Sequence, residues 1–153
     1  MTPSKKIEDY INGSFVIAGV GNELKEFDKV GIEIARRGKK IYPERFIDCG
    51  AVPENYLDKI IRKKVGTLII VDTVYFKGID DVKVFLPEEL TFQGISSHSL
   101  SLNFIAEYLK NWEIKTIIIG IKPTPRDNQI QEKVLSDLFK LISGEKFIRR
   151  KGE

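Results

Sequence analysis

The stretch that decides the fold runs from Phe15 to Gly31 and reads FVIAGVGNELKEFDKVG. It opens with an apolar run and no polar alternation, which predicts a strand buried on both faces. Gly19 and Gly21 then allow a sharp turn, and a helix is predicted to begin near Asp28. A strand, a tight turn and a helix open many α/β domains, and such domains bind ligands beside the loop that follows the strand. Asp28 is therefore expected at the edge of a ligand crevice.

The rest of the chain continues this alternation of strands and helices. Apolar or weakly alternating runs predict further strands at 44–49, 67–71, 82–85 and 116–120. Amphipathic runs predict helices at 4–11, at 28–37 with a stop at Gly38, from Pro53, at 102–112, and from Asp127 to a stop at Ser143-Gly144. The pattern predicts a three-layer α/β/α fold with a mostly parallel twisted sheet of about five strands, helices on both faces and one antiparallel edge strand.

Length, charge and cysteine content limit the class of protein. With 153 residues, the chain is expected to form a single α/β domain over residues 1–153. Its 25 basic and 22 acidic residues leave a net charge of +3, so we expect no nucleic-acid partner. No apolar run approaches the roughly 18 residues of a membrane span, and the first residues lack the apolar core of a signal peptide. A single cysteine, Cys49, cannot form an internal disulfide, so we expect a cytoplasmic protein with no membrane partner.

Three side chains that could carry chemistry belong to the carboxyl edge of the predicted sheet. Asp72 ends the most strand-like run of the sequence, where a carboxylate needs a partner, although it could also cap the next loop. His98, the only histidine, precedes a predicted helix and could equally be packed or solvated. Asp28 alone could be a first-turn carboxylate favoured by the helix dipole.

Together, Asp28, Asp72 and His98 form a plausible donor set for a divalent metal. Two carboxylates and a neutral imidazole balance the charge of the ion, and three protein ligands leave coordination positions open, as in catalytic sites. Such donors suit nickel, zinc or manganese without selecting among them. Ser97 or Ser99 could orient the imidazole.

A nucleotide site is the weaker alternative for the first loop. Gly19 and Gly21 are reminiscent of a dinucleotide fingerprint, and Asp48 stands where a ribose-binding carboxylate would lie. However, Leu24 occupies the position of the third glycine, and the loop is too long to bring the helix N-terminus to a pyrophosphate.

Nucleophilic catalysis by a side chain finds little support. The sequence has no Gly-x-Ser-x-Gly elbow, so its serines lack the setting of a nucleophile. A pair of Cys49 and His98 stays open, although a cysteine at a strand end is more often a small core residue.

Four separated motifs identify a family. They are GVGNxL followed by Asp28 and Gly31, DCGAVPEN at 48–55, IVD at 70–72, and SHSL at 97–100. With these motifs in one order and in register from about Phe15 to Trp112, the chain resembles the hydrogenase maturation endopeptidases. The similarity is greatest to the branch that acts on hydrogenase 3-type enzymes.

The resemblance implies an activity and a metal. The family removes the C-terminal extension of a [NiFe]-hydrogenase large-subunit precursor after nickel insertion. Its nickel-binding roles fall on Asp28, Asp72 and His98, and the nickel arrives with the substrate, so the isolated protein is expected to have an empty site or to hold another divalent ion. The metal could polarise the scissile carbonyl or activate water. We favour the other option, in which nickel is a recognition tag and Asp28 or Asp72 acts as general base.

The resemblance also implies a substrate-binding element and reveals two departures. Asp48, Cys49 and Gly50 resemble the Asp-Gly-Gly element that the family uses in substrate handling. The first loop of relatives usually reads Asp-Asp/Glu-Gly, whereas here Phe27 and Lys29 flank the retained aspartate. These departures bear on the shape of the loop and on metal affinity.

The sequence therefore supports one leading hypothesis and two alternatives. The leading one is an endopeptidase that senses nickel in the large-subunit precursor, its expected partner, and that acts as a monomer. The altered first loop leaves open a non-catalytic metal-binding maturation chaperone. The third hypothesis is the nucleotide-binding module.

Overall fold

The computed structural model describes residues 6–91, 93–125 and 127–152. The strands are β1 (Phe15–Gly19), β2 (Phe46–Asp48), β3 (Thr67–Thr73), β4 (Tyr75–Phe76), β5 (Val82–Phe85), β6 (Gly94–Ile95) and β7 (Lys115–Ile121). The helices are α1 (Val30–Ile41), α2 (Leu57–Arg62), α3 (Ser99–Lys110) and α4 (Asp127–Gly152). Short 3-10 turns occupy Ile7–Asp9, Pro53–Tyr56 and Pro87–Thr91.

The main sheet has five strands in the spatial order β2-β1-β3-β7-β5. β1 pairs in parallel with β2 and β3, and β3 pairs in parallel with β7. β5 is antiparallel to β7 and forms the edge. Every residue of β1 and β3 is buried, as the apolar runs 15–18 and 68–71 predict for strands covered on both faces. The predicted fold class is therefore confirmed, including its antiparallel edge strand.

Helices cover both faces of the sheet because alternate strand residues point in opposite directions. One face packs residues of β1, β3, α2 and α3, among them Val16, Ile70, Ile60, Leu102 and Ile105. The other packs residues of β1, β3, α1 and α4, among them Ile17, Ile69, Ile34, Leu135 and Leu138. In the described ranges, no helix is both long and apolar enough to cross a bilayer.

Two glycines bring α1 close to the sheet. A Cβ atom on Gly19 would lie 2.1 Å from the carbonyl oxygen of Gly31. A Cβ atom on Gly31 would lie 2.3 Å from the carbonyl oxygens of both Val20 and Val71. Only glycine fits at these positions without moving backbone, so α1 and the loop before it lie directly over the carboxyl ends of β1 and β3.

Some predicted helix ends are wrong. α1 continues through Gly38 to Ile41, and a Cβ atom on Gly38 would lie 2.4 Å from the ring of Phe46. This glycine therefore serves close helix–strand packing and does not end the helix. α4 continues past Ser143-Gly144 to Gly152, because one glycine inside a helix costs only about 1 kcal/mol relative to alanine.

Two further predictions need correction at the helix starts. The sequence predicts a helix over 4–11, but the described part of that segment contains one 3-10 turn at Ile7–Asp9, and residues 4 and 5 lie outside the described residues. α3 begins at Ser99, three positions before the predicted start at Leu102.

A small ribbon, absent from the predictions, completes the carboxyl edge of the sheet. β4 and β6 pair antiparallel, with Tyr75 opposite Ile95 and Phe76 opposite Gly94. Each strand is too short to show a hydrophobic period. The ribbon follows β3 directly and leads into α3, so it carries residues 96–98 back to the end of β3.

Candidate active site

Asp72 lies at the centre of the candidate site and has no exposed surface. Its Oδ1 accepts a hydrogen bond of 2.8 Å from the backbone N–H of Thr73, and its Oδ2 accepts one from the hydroxyl of Ser96. The Nδ1 atom of His98 lies 3.4 Å from the same Oδ2. A carboxylate buried at the end of a strand thus has the partners that burial requires. We call these four residues the Asp72 pocket.

Ser96 connects Asp72 to His98. Its buried hydroxyl donates to the carboxylate and accepts the backbone N–H of His98 at 3.0 Å. Ser99 closes the same turn, because its hydroxyl accepts the N–H of Ser96 at 3.0 Å and donates to the carbonyl of Ser96 at 2.9 Å. His98 is the N-cap residue of α3, so this turn fixes where the helix begins.

The sequence did not single out Ser96. It proposed Ser97 or Ser99 as the group that orients the imidazole, and Ser97 Oγ does lie 3.3 Å from His98 Nδ1. Ser99 instead contacts the backbone of Ser96. A serine two residues before a helix N-cap is a signal of a side-chain-closed turn that could have identified Ser96.

Asp28 reaches the Asp72 pocket from the first loop, residues 20–29. It lies two residues before α1 and is therefore not a first-turn residue of that helix. The loop is closed by a 2.7 Å hydrogen bond from the N–H of Asn22 to the carbonyl of Asp28. Phe27, with φ +65°, adopts the left-handed conformation, and its carbonyl accepts the hydroxyl of Thr73 at 3.2 Å. The loop is thereby attached to the end of β3.

The charges of Asp28, Asp72 and His98 act on one another. Burial, reinforced by the negative charge of Asp72, raises the pKa of the half-buried Asp28, while His98 and a hydrogen bond from Thr73 oppose the rise. The hydrogen bond to Asp72 raises the pKa of His98 despite burial, and the charges of Asp28 and Glu54 add to the effect. Glu54, from the 3-10 turn after β2, is a further carboxylate that the sequence had not placed near the imidazole.

The structure brings Asp28, Asp72 and His98 together without arranging them as a ready-made metal cage. In the part of the chain that the structure describes, no three His, Cys, Asp or Glu side chains stand in positions to hold a metal ion. Both oxygens of Asp72 already accept hydrogen bonds, from Thr73 and Ser96. A metal ion at Asp72 would have to share the carboxylate with these two donors or displace the Ser96 hydroxyl. The ligand roles of the three residues stay predictions.

The predicted substrate-binding element, Asp48-Cys49-Gly50, lies beside the first loop. Asp48 accepts a 2.8 Å hydrogen bond from Nε of Arg36 and a 3.1 Å bond from the N–H of Gly50. The carbonyl of Gly50, where φ is +56°, accepts the N–H of Gly21 at 3.0 Å. The segment therefore supports the first loop from behind, and its binding role stays a prediction.

These contacts count against two alternatives from the sequence, a Cys49–His98 nucleophile pair and a nucleotide site. Cys49 is buried, and burial raises the pKa of its thiol to about 12, which leaves it protonated and a poor nucleophile near neutral pH. Asp48 is paired with Arg36, and the N–H of Gly21 is used by Gly50. The two features that suggested a nucleotide site thus have internal partners.

Comparisons with known proteins point in one direction. A family model described as hydrogenase maturation protease, HycI, matches residues 16–143. A protein of Methanocaldococcus jannaschii, provisionally named a hydrogenase maturation protease, is 32% identical over 120 residues, which is 71% of each chain. The crystal structure of a [NiFe] hydrogenase maturation protease HycI from Thermococcus kodakarensis has a TM-score of 0.76 at 25% identity and covers 90% of this chain and 98% of that one. The solution structure of an endopeptidase HycI from Escherichia coli has a TM-score of 0.65 at 23% identity, covers 80% and 87% of the two chains, and supports the fold alone.

Proposed function

The chain belongs to the HycI family of hydrogenase maturation proteases, and from that premise we propose that it removes the C-terminal extension of a [NiFe]-hydrogenase large-subunit precursor once nickel is in place. The enzyme class, an endopeptidase of hydrogenase maturation, follows from the family. One observation supports the proposed substrate and mechanism. Asp72 and His98 form a pair at the carboxyl edge of the sheet, and their charges act on Asp28.

We propose that this group of three residues senses the nickel of the substrate. Imidazole nitrogen and carboxylate oxygen are donors that suit nickel. The Nδ1 atom of His98 lies 3.4 Å from the carboxylate of Asp72, and the charges of Asp72 and His98 both act on Asp28. Asp72 holds the imidazole of His98 in the way that a carboxylate behind a metal-binding histidine does. A precursor without nickel would offer this cluster nothing to bind.

In the proposed chemistry, Asp28 is the general base. It accepts a proton from water as the water attacks the scissile carbonyl, and then donates that proton to the leaving amine. The raised pKa of Asp28 makes it a stronger base than an ordinary aspartate. Asp72 has no exposed surface, so we assign it the positioning of His98 and give the proton transfer to Asp28.

The surroundings of the site suggest how the substrate tail is held. We propose that the backbone at Asp48-Cys49-Gly50 lines its path, because this segment is bonded to Gly21 of the first loop. The side chain of Cys49 lies in the core and makes no such contact. We further propose that residues 1–153 form one domain and act in the cytoplasm as a monomer, in keeping with the single, buried cysteine.

Intact-mass measurement of the precursor tests this function. The enzyme is incubated with nickel-loaded and with nickel-free large-subunit precursor, and we expect shortening of the nickel-loaded form alone. The His98→Ala variant should leave both forms intact. A precursor that binds but is never shortened would support the chaperone instead, and equal cleavage of both forms would exclude nickel sensing.

A further inference from the structure

An unusual row of large apolar side chains lies on the outer side of α3 and just beyond its end. Leu100, Phe104, Tyr108 and Trp112 stand at every fourth position and are 89%, 55%, 39% and 54% exposed. We call this row the α3 stripe. Residues four apart share one side of a helix, and the rings of Phe104 and Tyr108 are 6.1 Å apart between centroids.

The stripe is not needed for the core. The inner face of α3 already carries Leu102, Ile105 and Leu109, which are buried against the sheet. A surface helix normally presents polar residues on its outer face, whereas α3 is apolar on both. Contiguous exposed apolar surface of this kind marks an interaction site.

One end of the stripe lies close in the chain to the candidate active site. Leu100 lies two residues after His98, the N-cap residue of α3. At a rise of about 1.5 Å per residue, the stripe extends roughly 18 Å from there towards the opposite edge of the sheet. Exposed apolar residues also occur on the β4–β6 ribbon that leads into His98, where Tyr75 and Ile95 pair across the two strands.

We propose that the α3 stripe is a docking surface for the folded body of the large-subunit precursor, outside the site that receives the scissile tail. This inference rests on the proposed function. A stable protein–protein contact of standard size buries about 800 Å² per partner. Phenylalanine, tyrosine and tryptophan are enriched at such contacts, and tyrosine and tryptophan dominate their binding energy.

The chemistry of the stripe defines the complementary patch on the precursor. The charges beside the stripe, Glu107 and Lys110, neutralise each other in an ion pair at 2.8 Å. The precursor patch is therefore apolar and lies near the base of its C-terminal extension. A second copy of this chain is a poorer occupant, because a copy seated on Leu100 would compete with the precursor for the surface next to His98.

Binding and kinetics together test the stripe. The double variant Phe104→Ser/Tyr108→Ser is compared with wild type and with Ile41→Ser, an equally exposed apolar residue (62%) at the far end of α1. We expect the double variant to raise both the KM for nickel-loaded precursor and the Kd about tenfold or more, with kcat unchanged. Ile41→Ser should match wild type. If the double variant does not fold, by circular dichroism, Leu100→Ser replaces it.

The outcomes separate docking from catalysis. An unchanged KM and Kd in the stripe variants would overturn the docking surface while leaving the proposed function intact. Wild type that binds without cleaving, with binding weakened by the stripe variants, would support docking and refute the function. A wild-type dimer that the double variant converts to monomer in sedimentation experiments, with unchanged affinity for the precursor, would assign the stripe to a second copy and overturn the proposal.

Discussion

The two halves of the candidate site are built differently. The Asp72 pocket is buried, and each oxygen of its central carboxylate has a hydrogen-bond donor. The first loop is mostly exposed, places Phe27 in a left-handed conformation, and leaves Asp28 half-buried. The contrast suggests a division of labour in which the pocket fixes the imidazole of His98 and the loop supplies the group that reacts.

The largest expected effect is the loss of cleavage activity when Asp28 of the first loop is replaced. Asp28→Asn keeps the shape of the side chain but removes the proposed base, so precursor cleavage should slow about 10²–10⁴-fold. Because the loop contributes little to the core, the free energy of unfolding should change by less than about 0.5 kcal/mol. Single-turnover cleavage and urea denaturation measure the two effects. Glu26→Gln, an exposed carboxylate of the same loop, is the control and should cleave normally.

Gly31 joins the two halves, so its substitution should disturb both. In Gly31→Ala the new methyl group would lie 2.3 Å from two backbone carbonyl oxygens, one at the end of β3. We expect a loss of about 3 kcal/mol or more in the free energy of unfolding. Gly144→Ala is the matched control, since its Cβ would meet nothing within 4 Å and should stabilise α4 by up to about 1 kcal/mol. Equal urea midpoints for the two variants would contradict the close approach of α1.

Substitution of Ser96 tests the Asp72 pocket, the other half of the site. Ser96→Ala leaves Oδ2 of a buried carboxylate without its hydroxyl donor, which should lower the free energy of unfolding by about 1–3 kcal/mol. Cleavage should also slow, because His98 loses its backbone anchor. The neighbouring Ser97 is exposed, so Ser97→Ala should change stability by less than about 0.5 kcal/mol. If the two variants have the same stability, Ser96 has no positioning role.

The smallest expected effect concerns Cys49. Its accessibility shows whether the segment Asp48-Cys49-Gly50, which is bonded to the first loop, opens in the folded protein. Burial raises the pKa of its thiol to about 12, so at pH 8 iodoacetamide should not label the folded protein. The stability linked to this thiol is fully present below its unfolded pKa and is lost as pH rises through about 12. Labelling followed by mass spectrometry should appear only in urea or at very alkaline pH. Rapid labelling of native protein at pH 8 would contradict this burial and show that the segment Asp48-Cys49-Gly50 opens together with the first loop.

The sequence was informative where chemistry follows from strand position. Asp72 follows the apolar run 68–71 near the end of β3, and parallel strands deliver such residues to one edge of the sheet. Asp28 follows β1 in the same way, and the glycines around it bring its loop over β3. The placement of Asp72 beside His98 at this edge could therefore be predicted from order and spacing.

The features that the sequence left out depend on tertiary contacts. The β4–β6 ribbon has two-residue strands, whose pairing no local pattern encodes. Ser96 acquires its role only because that ribbon turns it towards Asp72. Gly38 resembles a helix stop, yet it is explained by the ring of Phe46 on the next strand, which packs against the helix.

The central claim is that His98, held by Asp72 and facing Asp28, meets the nickel of the substrate. Nickel-edge X-ray absorption on nickel-loaded precursor bound to the slow Asp28→Asn variant tests it most directly. The account predicts an added imidazole nitrogen in the nickel shell, which disappears in Asp28→Asn/His98→Ala. Identical spectra for the two complexes, with the precursor bound in both, would contradict it.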